Sequence, residues 1–488
     1  MTTEKNEVLQ GELNRSLKAR HIQMIAIGGA IGTGLFLASG YTIHTAGPGG
    51  ALLAYGIMGV MVYFLMTSLG EMATYMPVSG SFQTYCNKFV DPALGFAVGW
   101  LYWLNWALTL SVELVAAEII MRFWFPDIPG WIWVIVFTAV LYLLNAISVK
   151  GYGETEFWFA GIKVVAIIIF IILGALMILG FLGGNEAYGV KNFMDGNAFP
   201  NGGWAVVVVM FSAAFSFAGT ETVGMAAGES ENPEKNIPKA INKVFWRILI
   251  FYLGAIFVIG CIIPWQTASI EVSPFTVVFQ NSGIPGFSTF AATIMNIVVL
   301  TSVLSAANSG LYVGSRMLWA MAREGEAPRI LGTVSKKKVP IAALTFTIAF
   351  GLLALTTSVW AEETVYVALV SAVGVSTLVG WLAISVSHMR FRKWYRLKGL
   401  PFEDLKYKAL LFPAGPIISI VLCAVVLIGQ AFDRVAALSL LYGVPLFLIL
   451  YFYYKIRFKT KVVNLEDVNV DNLRLSSRER EEWIESEN

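Results

Sequence analysis

The stretch Ile25–Phe36, IAIGGAIGTGLF, constrains this chain more than any other, because it sets four glycines and a threonine inside an apolar run. The run, from about 22 to 43, is long enough to cross a bilayer as a helix of about 20 residues. Yet each of Gly28, Gly29, Gly32 and Gly34 weakens a helix interior by about 1 kcal/mol relative to alanine. Gly28 and Gly32 also have the GxxxG spacing that lets two helices approach closely, so packing is one reading of the pair. For the whole cluster, centred on Gly32-Thr33-Gly34, a break in the helix is the reading favoured here. Irregular backbone at membrane depth is tolerated only where it is buried in protein or lines a polar cavity, so the freed amides and carbonyls are candidate ligands for something polar. A phosphate-binding glycine loop would need a preceding strand and its own spacing, and neither pattern is present.

Eleven further apolar runs follow, which makes twelve expected spans at 22–43, 48–69, 93–123, 131–149, 157–182, 203–227, 242–264, 288–318, 340–359, 363–388, 412–431 and 437–456. Hydrophobic residues make up 57% of the 488 and charged residues 14%, against about a quarter charged in a soluble domain. The expectation is an all-α membrane protein with many spans, set between a cytoplasmic segment over 1–21 and a charged cytoplasmic tail over 457–488. The first 21 residues are polar and carry no apolar core with a cleavage site, so they do not read as a secretory signal. Between the second and third spans, PVSGSFQTYCNKFVDP reads as an amphipathic helix at the membrane interface.

Basic residues mark the cytoplasmic side. With the N-terminus inside, 30 of the 34 lysines and arginines fall on inside segments, and only Arg122, Lys191 and Arg434 fall outside. Lys163 alone lies within a span. The split supports two cytoplasmic termini in a cell membrane and explains the basic loops without nucleic acid. Cys86, Cys261 and Cys423 are far apart and read as small buried hydrophobes. His21, His44 and His388 lie near span ends, and no hydrolase or metalloprotease motif appears, which argues against a membrane enzyme. No metal or cofactor is expected.

A second span carries a polar interruption. In the sixth, Phe211–Met225 reads FSAAFSFAGTETVGM, and Ser216, Ala218, Gly219, Thr220 and Glu221 break it near mid-membrane, five spans after the first break. Interrupted helices at matching places in two halves point to an inverted-repeat transporter with its site at the repeat interface. The repeats would be 22–182 and 203–388, with 412–456 added outside them.

The motifs ARHIQMIAIGGAIGTGLF, SLGEMATYMPVSGSF, FAGTE followed by AAGESENPEKNIPKAI, and SRMLWAMAREGEAP resemble signatures of the amino acid–polyamine–organocation superfamily, in particular its bacterial amino acid transporters. GWLYWLNWAL, VSPFTVVFQ and VFWRILIFY are most similar to the lysine permeases of that family. The resemblance covers nearly the whole chain. It implies a LeuT-like fold of twelve helices, with helices 1 and 6 interrupted, and proton-driven uptake of an L-amino acid, most closely lysine. Arginine, histidine and aromatic permeases share most of these signatures. An exchanger, or a membrane amino acid sensor with a regulatory membrane protein as partner, would also fit.

The site follows from the chemistry of a zwitterion. Free amides at the start of the half-helix after the first break, those of Thr33 and Gly34 with the Thr33 hydroxyl close by, suit a carboxylate. By the resemblance, carbonyls of Ala30 or Ile31, beside Gly32, and of Phe215 and Ala218 hold the ammonium, and Phe215 or Phe217 closes over the substrate, unless these rings merely pack. A cationic side chain needs a counter-charge, and carboxylates inside spans are rare and usually functional. Glu113 and Glu221 are the deepest candidates. Tyr102 and Trp106 share a helix face with Glu113, so the third span could present an aromatic and acidic wall; an interfacial aromatic belt is the other reading. Lys163 could snorkel to the interface. The resemblance instead implies that it exchanges the coupling proton near carbonyls of the first span and hydroxyls such as Ser305 of the eighth.

Overall fold

A computed structural model describes residues 13 and 15–474, except 37, 148, 183–186, 195–197, 269–272, 282–286, 353–354, 356–361 and 433. Among the described residues every regular element is a helix, and the one β-bridge joins Leu17 to Ser230. Seven helices there are long and apolar enough to cross a membrane, and three shorter apolar helices, Leu249–Ile262, Ile341–Gly351 and Ala414–Gln430, stand beside them.

Both expected breaks are present. Helix α1 (Ala19–Ala30) stops where Ile31 turns extended (φ −88°, ψ 95°), and the chain resumes as α2 (Thr33–Phe36). It continues into α3 (Ala38–Tyr75), itself bent at Gly47 and Pro48. Past α4 (Phe82–Phe89) come α5 (Pro92–Met121), α6 (Gly130–Ile147) and α7 (Val149–Ile178). Helix α8 (Gly202–Phe217) then ends at an extended Ala218, and α9 (Thr222–Ala226) restarts beyond Gly219 and Thr220. The two breaks touch. Gly219 has φ +98°, and a Cβ on it would stand 2.3 Å from the Gly29 carbonyl oxygen. A Cβ on Gly34 would stand 2.6 Å from the Ser216 Cα. Break and close packing are therefore one device: each interruption is open because the other passes against it.

The remaining long helices are α10 (Pro233–Ile262), α11 (Phe287–Arg323), α12 (Ile341–Gly351), α13 (Glu362–Leu397), α14 (Ala414–Gln430) and α15 (Arg434–Phe458). Helix α5 is the central post, packed against α11 and α13. Of its most apolar window 83% is buried, against 6% for Leu440–Phe458, whose apolar side chains face outward as a lipid-facing helix requires.

Two sequence expectations are corrected. Helix α7 starts at Val149 rather than 157, because the charges that end the apolar run, Glu156 in particular, are accommodated inside the protein. The segment around α4 is not a surface helix: Phe82, Gln83, Thr84, Tyr85, Cys86 and Phe89 are buried between α5 and α13. Its polar face meets carboxylates, with the Gln83 amide donating to Glu326 at 2.7 Å and Thr84 to Glu324 at 2.7 Å. The tail, as far as 474, packs along α13. Arg390, Trp394 and Lys398 of α13 donate to the carbonyls of Val463, Val468 and Glu466, and Val468 and Val470 are buried.

Candidate functional site

At the first break, α1 ends with the carbonyls of its last turn lacking helical partners, and these carry the negative end of the helix dipole. Lys163 reaches them from α7, fully buried, its Nζ donating to the oxygens of Gly28 and Ile31 at 2.7 Å each. It does not snorkel. Ser302 of α11 donates to the Ile31 oxygen at 3.1 Å. Ser305 lies one turn along, but its hydroxyl donates to the Glu156 carboxylate, which also receives the Asn308 amide at 3.1 Å. The Tyr252 hydroxyl of α10 stands between the breaks, 2.8 Å from the Ala30 oxygen and 2.5 Å from the Ser216 oxygen.

The second break is held by its own carboxylate. Glu221 turns back to accept from the Gly219 amide at 3.1 Å, from the Tyr102 hydroxyl of α5 at 2.9 Å and from the Trp381 indole of α13 at 3.3 Å. A buried anion is tolerated when its lone pairs are met by donors in this way. Tyr102 and Trp106 are buried beside each other, ring centres 6.1 Å apart, so they form no interfacial belt.

Between the breaks lies a cavity of about 30 Å³, walled by Gly29, Ala30, Gly32 and Gly34, by Phe215 and Ala218, by Ala306, and by one face of α5 carrying Asn105, Trp106, Thr109 and Glu113. Of the expected residues the cavity thus gathers Ala30, Gly32, Gly34, Trp106, Glu113, Phe215 and Ala218. It does not gather Glu221, Tyr102 or Gly219, which form the latch beside it. Ile31 turns its carbonyl to Lys163. Phe217 packs on Tyr252 and Tyr55 instead of on the cavity, at centroid distances of 4.8 and 6.2 Å, and Ser216 is held through Tyr55 at 2.8 Å. The Thr33 side chain lies outside the described residues; its backbone begins α2.

The sequence reading missed Asn105 and Thr109. Their signal was available: Asn105, Thr109 and Glu113 recur every four residues and make one polar stripe along α5. It also missed Tyr252, which has no sequence signature beyond an aromatic in an apolar run, and Glu156, excluded by a span edge drawn one residue too late.

An all-helical, multi-pass membrane protein with two interrupted helices around a buried polar cavity is built as a membrane transporter. The chain belongs to the amino acid permease family, whose model it matches over residues 21–466, within the amino acid–polyamine–organocation superfamily. It is 51% identical to the lysine-specific permease LysP of Escherichia coli (strain K12), over 91% of this chain and 94% of that one. It is 48% identical to the LysP of Lactococcus lactis subsp. cremoris (strain MG1363), over 95% and 94%. The histidine permease HisP of the same L. lactis strain is 45% identical over 94% and 98%. These relatives are named as permeases, not enzymes.

Proposed function

We propose that this protein is a secondary active permease that takes up an L-amino acid together with a proton, with L-lysine as the substrate. The observation that carries the mechanism is the buried Lys163 ammonium on the Gly28 and Ile31 carbonyls. A cation whose hydrogen bonds go to backbone oxygens at a helix break can be given up in exchange for a change in that break. Lysine readily changes protonation when buried, so loading and unloading Lys163 would be coupled to how α1 and α2 sit against α7 and α11. The two LysP relatives support lysine, and Glu113 supports it by position: it is the carboxylate on the cavity wall, whereas Glu221 lies off it. The amides following the first break would take the substrate carboxylate, and the Ala30 and Ala218 region its ammonium.

A cavity of about 30 Å³ holds water but no amino acid, so uptake requires the wall to open. Phe215, on that wall, would be the side chain that moves, as the family resemblance implies. In this reading the chain has twelve spans in a LeuT-like arrangement, repeats at 22–182 and 203–388, both termini cytoplasmic, in the cell membrane. The test is uptake of radiolabelled lysine into proteoliposomes under an imposed inward proton gradient, competed with unlabelled amino acids. Competition by lysine alone is expected; competition by histidine, arginine or aromatic amino acids would overturn the substrate and keep the class.

A further inference from the structure

Glu156 is a fully buried carboxylate that the reading above leaves without a task. It lies seven residues before Lys163, two turns or about 10 Å along the same face of α7. Side chains on a helix lean toward its N-terminus, so the lysine extends toward the carboxylate. Both end on one residue of the broken helix: Lys163 donates to the Gly28 carbonyl, and a Cβ on Gly28 would fall 1.8 Å from Glu156 Oε1. Gly28 is therefore a glycine because a carboxylate lies against it. On the other side Glu156 is fixed to α11 by Ser305 and Asn308, and Asn308 in turn is held by Asn145 of α6 at 2.7 Å.

We infer that Glu156 is the counter-charge of Lys163 and a positioning residue of proton coupling, tying the lysine's charge state to the contact between α1, α7 and α11. The inference rests on the proton-coupled reading of Lys163. A lone buried charge is strongly unfavourable, so one within a span is kept only with a partner. The carboxylates whose charge acts on Lys163 are Glu156, more strongly, and Glu113 of α5. From α7 itself Tyr152 also faces Glu156. The first break and α11 present carbonyls, hydroxyls and an amide to the pair. The two carboxylates divide the work by position. Glu113 is on the cavity wall, where an arriving cationic substrate engages it; Glu156 is off the wall and stays with Lys163 throughout.

The test is the pH profile of proton-driven lysine uptake in proteoliposomes for wild type, Glu156→Gln and Lys163→Gln. Glutamine removes the charge and keeps one acceptor, for the Asn308 amide, while its own amide can donate to the Ser305 hydroxyl. Without that anion the lysine holds its proton less well, so the midpoint of uptake should move to lower pH by about one unit, with rate recovered at acid pH. An unmoved midpoint with a reduced rate would mean a merely structural carboxylate and overturn the inference. Glu156→Asp, which keeps the charge but withdraws it by a methylene, should move the midpoint less and in the same direction. Should the glutamine variant fail to insert, an unmoved midpoint in the aspartate variant overturns the inference equally. Retained pH-dependent accumulation in Lys163→Gln would instead sink the proton-coupled reading beneath it.

Discussion

At the first interruption the chain turns carbonyl oxygens, those of Gly28 and Ile31, toward the Lys163 ammonium; at the second it turns an amide, that of Gly219, toward the Glu221 carboxylate. The first exposes the end of a helix and the second the approach to one, so the backbone itself dictates opposite charges. They differ also in where the charge comes from. The cation at the first break is brought by another helix, α7, and leaves the contact open to whatever moves α7 against α1. The anion at the second is internal to the break and is tied to the post α5 and to α13 by Tyr102 and Trp381. In the proposed mechanism the first break responds and the second holds. The cavity lies where they meet.

The largest effect should come from removing the contact that makes the comparison possible. Gly219→Ala places a Cβ in the left-handed region, at about 1–2 kcal/mol, and drives it into the Gly29 carbonyl, a backbone group that cannot step aside. Lysine uptake should fall at least about a hundredfold on that cost plus the clash. Gly325→Ala, also at positive φ (+80°) but in open space, should leave uptake within about threefold. Equal losses from both would dissolve the special status of the crossing.

The holding role of the second break is next. Glu221→Ala orphans three buried donors at roughly 1 kcal/mol each, so uptake should drop about a hundredfold, whereas Glu221→Gln retains an acceptor and should cost about tenfold. Substrate affinity should change less than the maximal rate in both, since Glu221 is off the cavity wall. A pure loss of affinity would put Glu221 in the substrate site after all. Tyr102→Phe removes one donor of the latch, about 1 kcal/mol, for a roughly fivefold loss of rate.

The sequence made the breaks legible because glycine and polar residues inside apolar runs have few bland explanations, and because the two runs stood five spans apart. The α5 wall was half legible: Trp106 and Glu113 share a face with the cavity, while the stripe through Asn105 and Thr109 went unread beside the more conspicuous aromatics. Glu156 was lost to a rule. Apolar-run boundaries stop at charges, and a charge compensated inside the protein lies on the wrong side of that boundary. Tyr252 and the packing of the tail on α13 were beyond reach, since both depend on which carbonyls distant segments bring into range.

The smallest effect on transport should come from the cluster near α4, away from both breaks. Burial, and then the neighbouring Glu324, raises the Glu326 carboxyl from its ordinary 4.5 to about 8. Near neutral pH the folded chain keeps a proton there that the unfolded chain has lost, so stability falls as pH rises from about 4.5 to about 8 and levels above it. Thermal unfolding in detergent across that range should show the slope, and Glu326→Gln should flatten it while leaving uptake nearly intact. A slope unchanged in the variant would remove Glu326 as its source.

The most direct test of the contrast between a responding and a holding break is accumulation of lysine by Lys163→Gln in proteoliposomes, set beside lysine counterflow in the same vesicles. Wild type should accumulate lysine under an inward proton gradient and the variant should not, while the variant still exchanges lysine across an equilibrated membrane. Full accumulation by the variant, with its dependence on the proton gradient intact, would contradict that contrast.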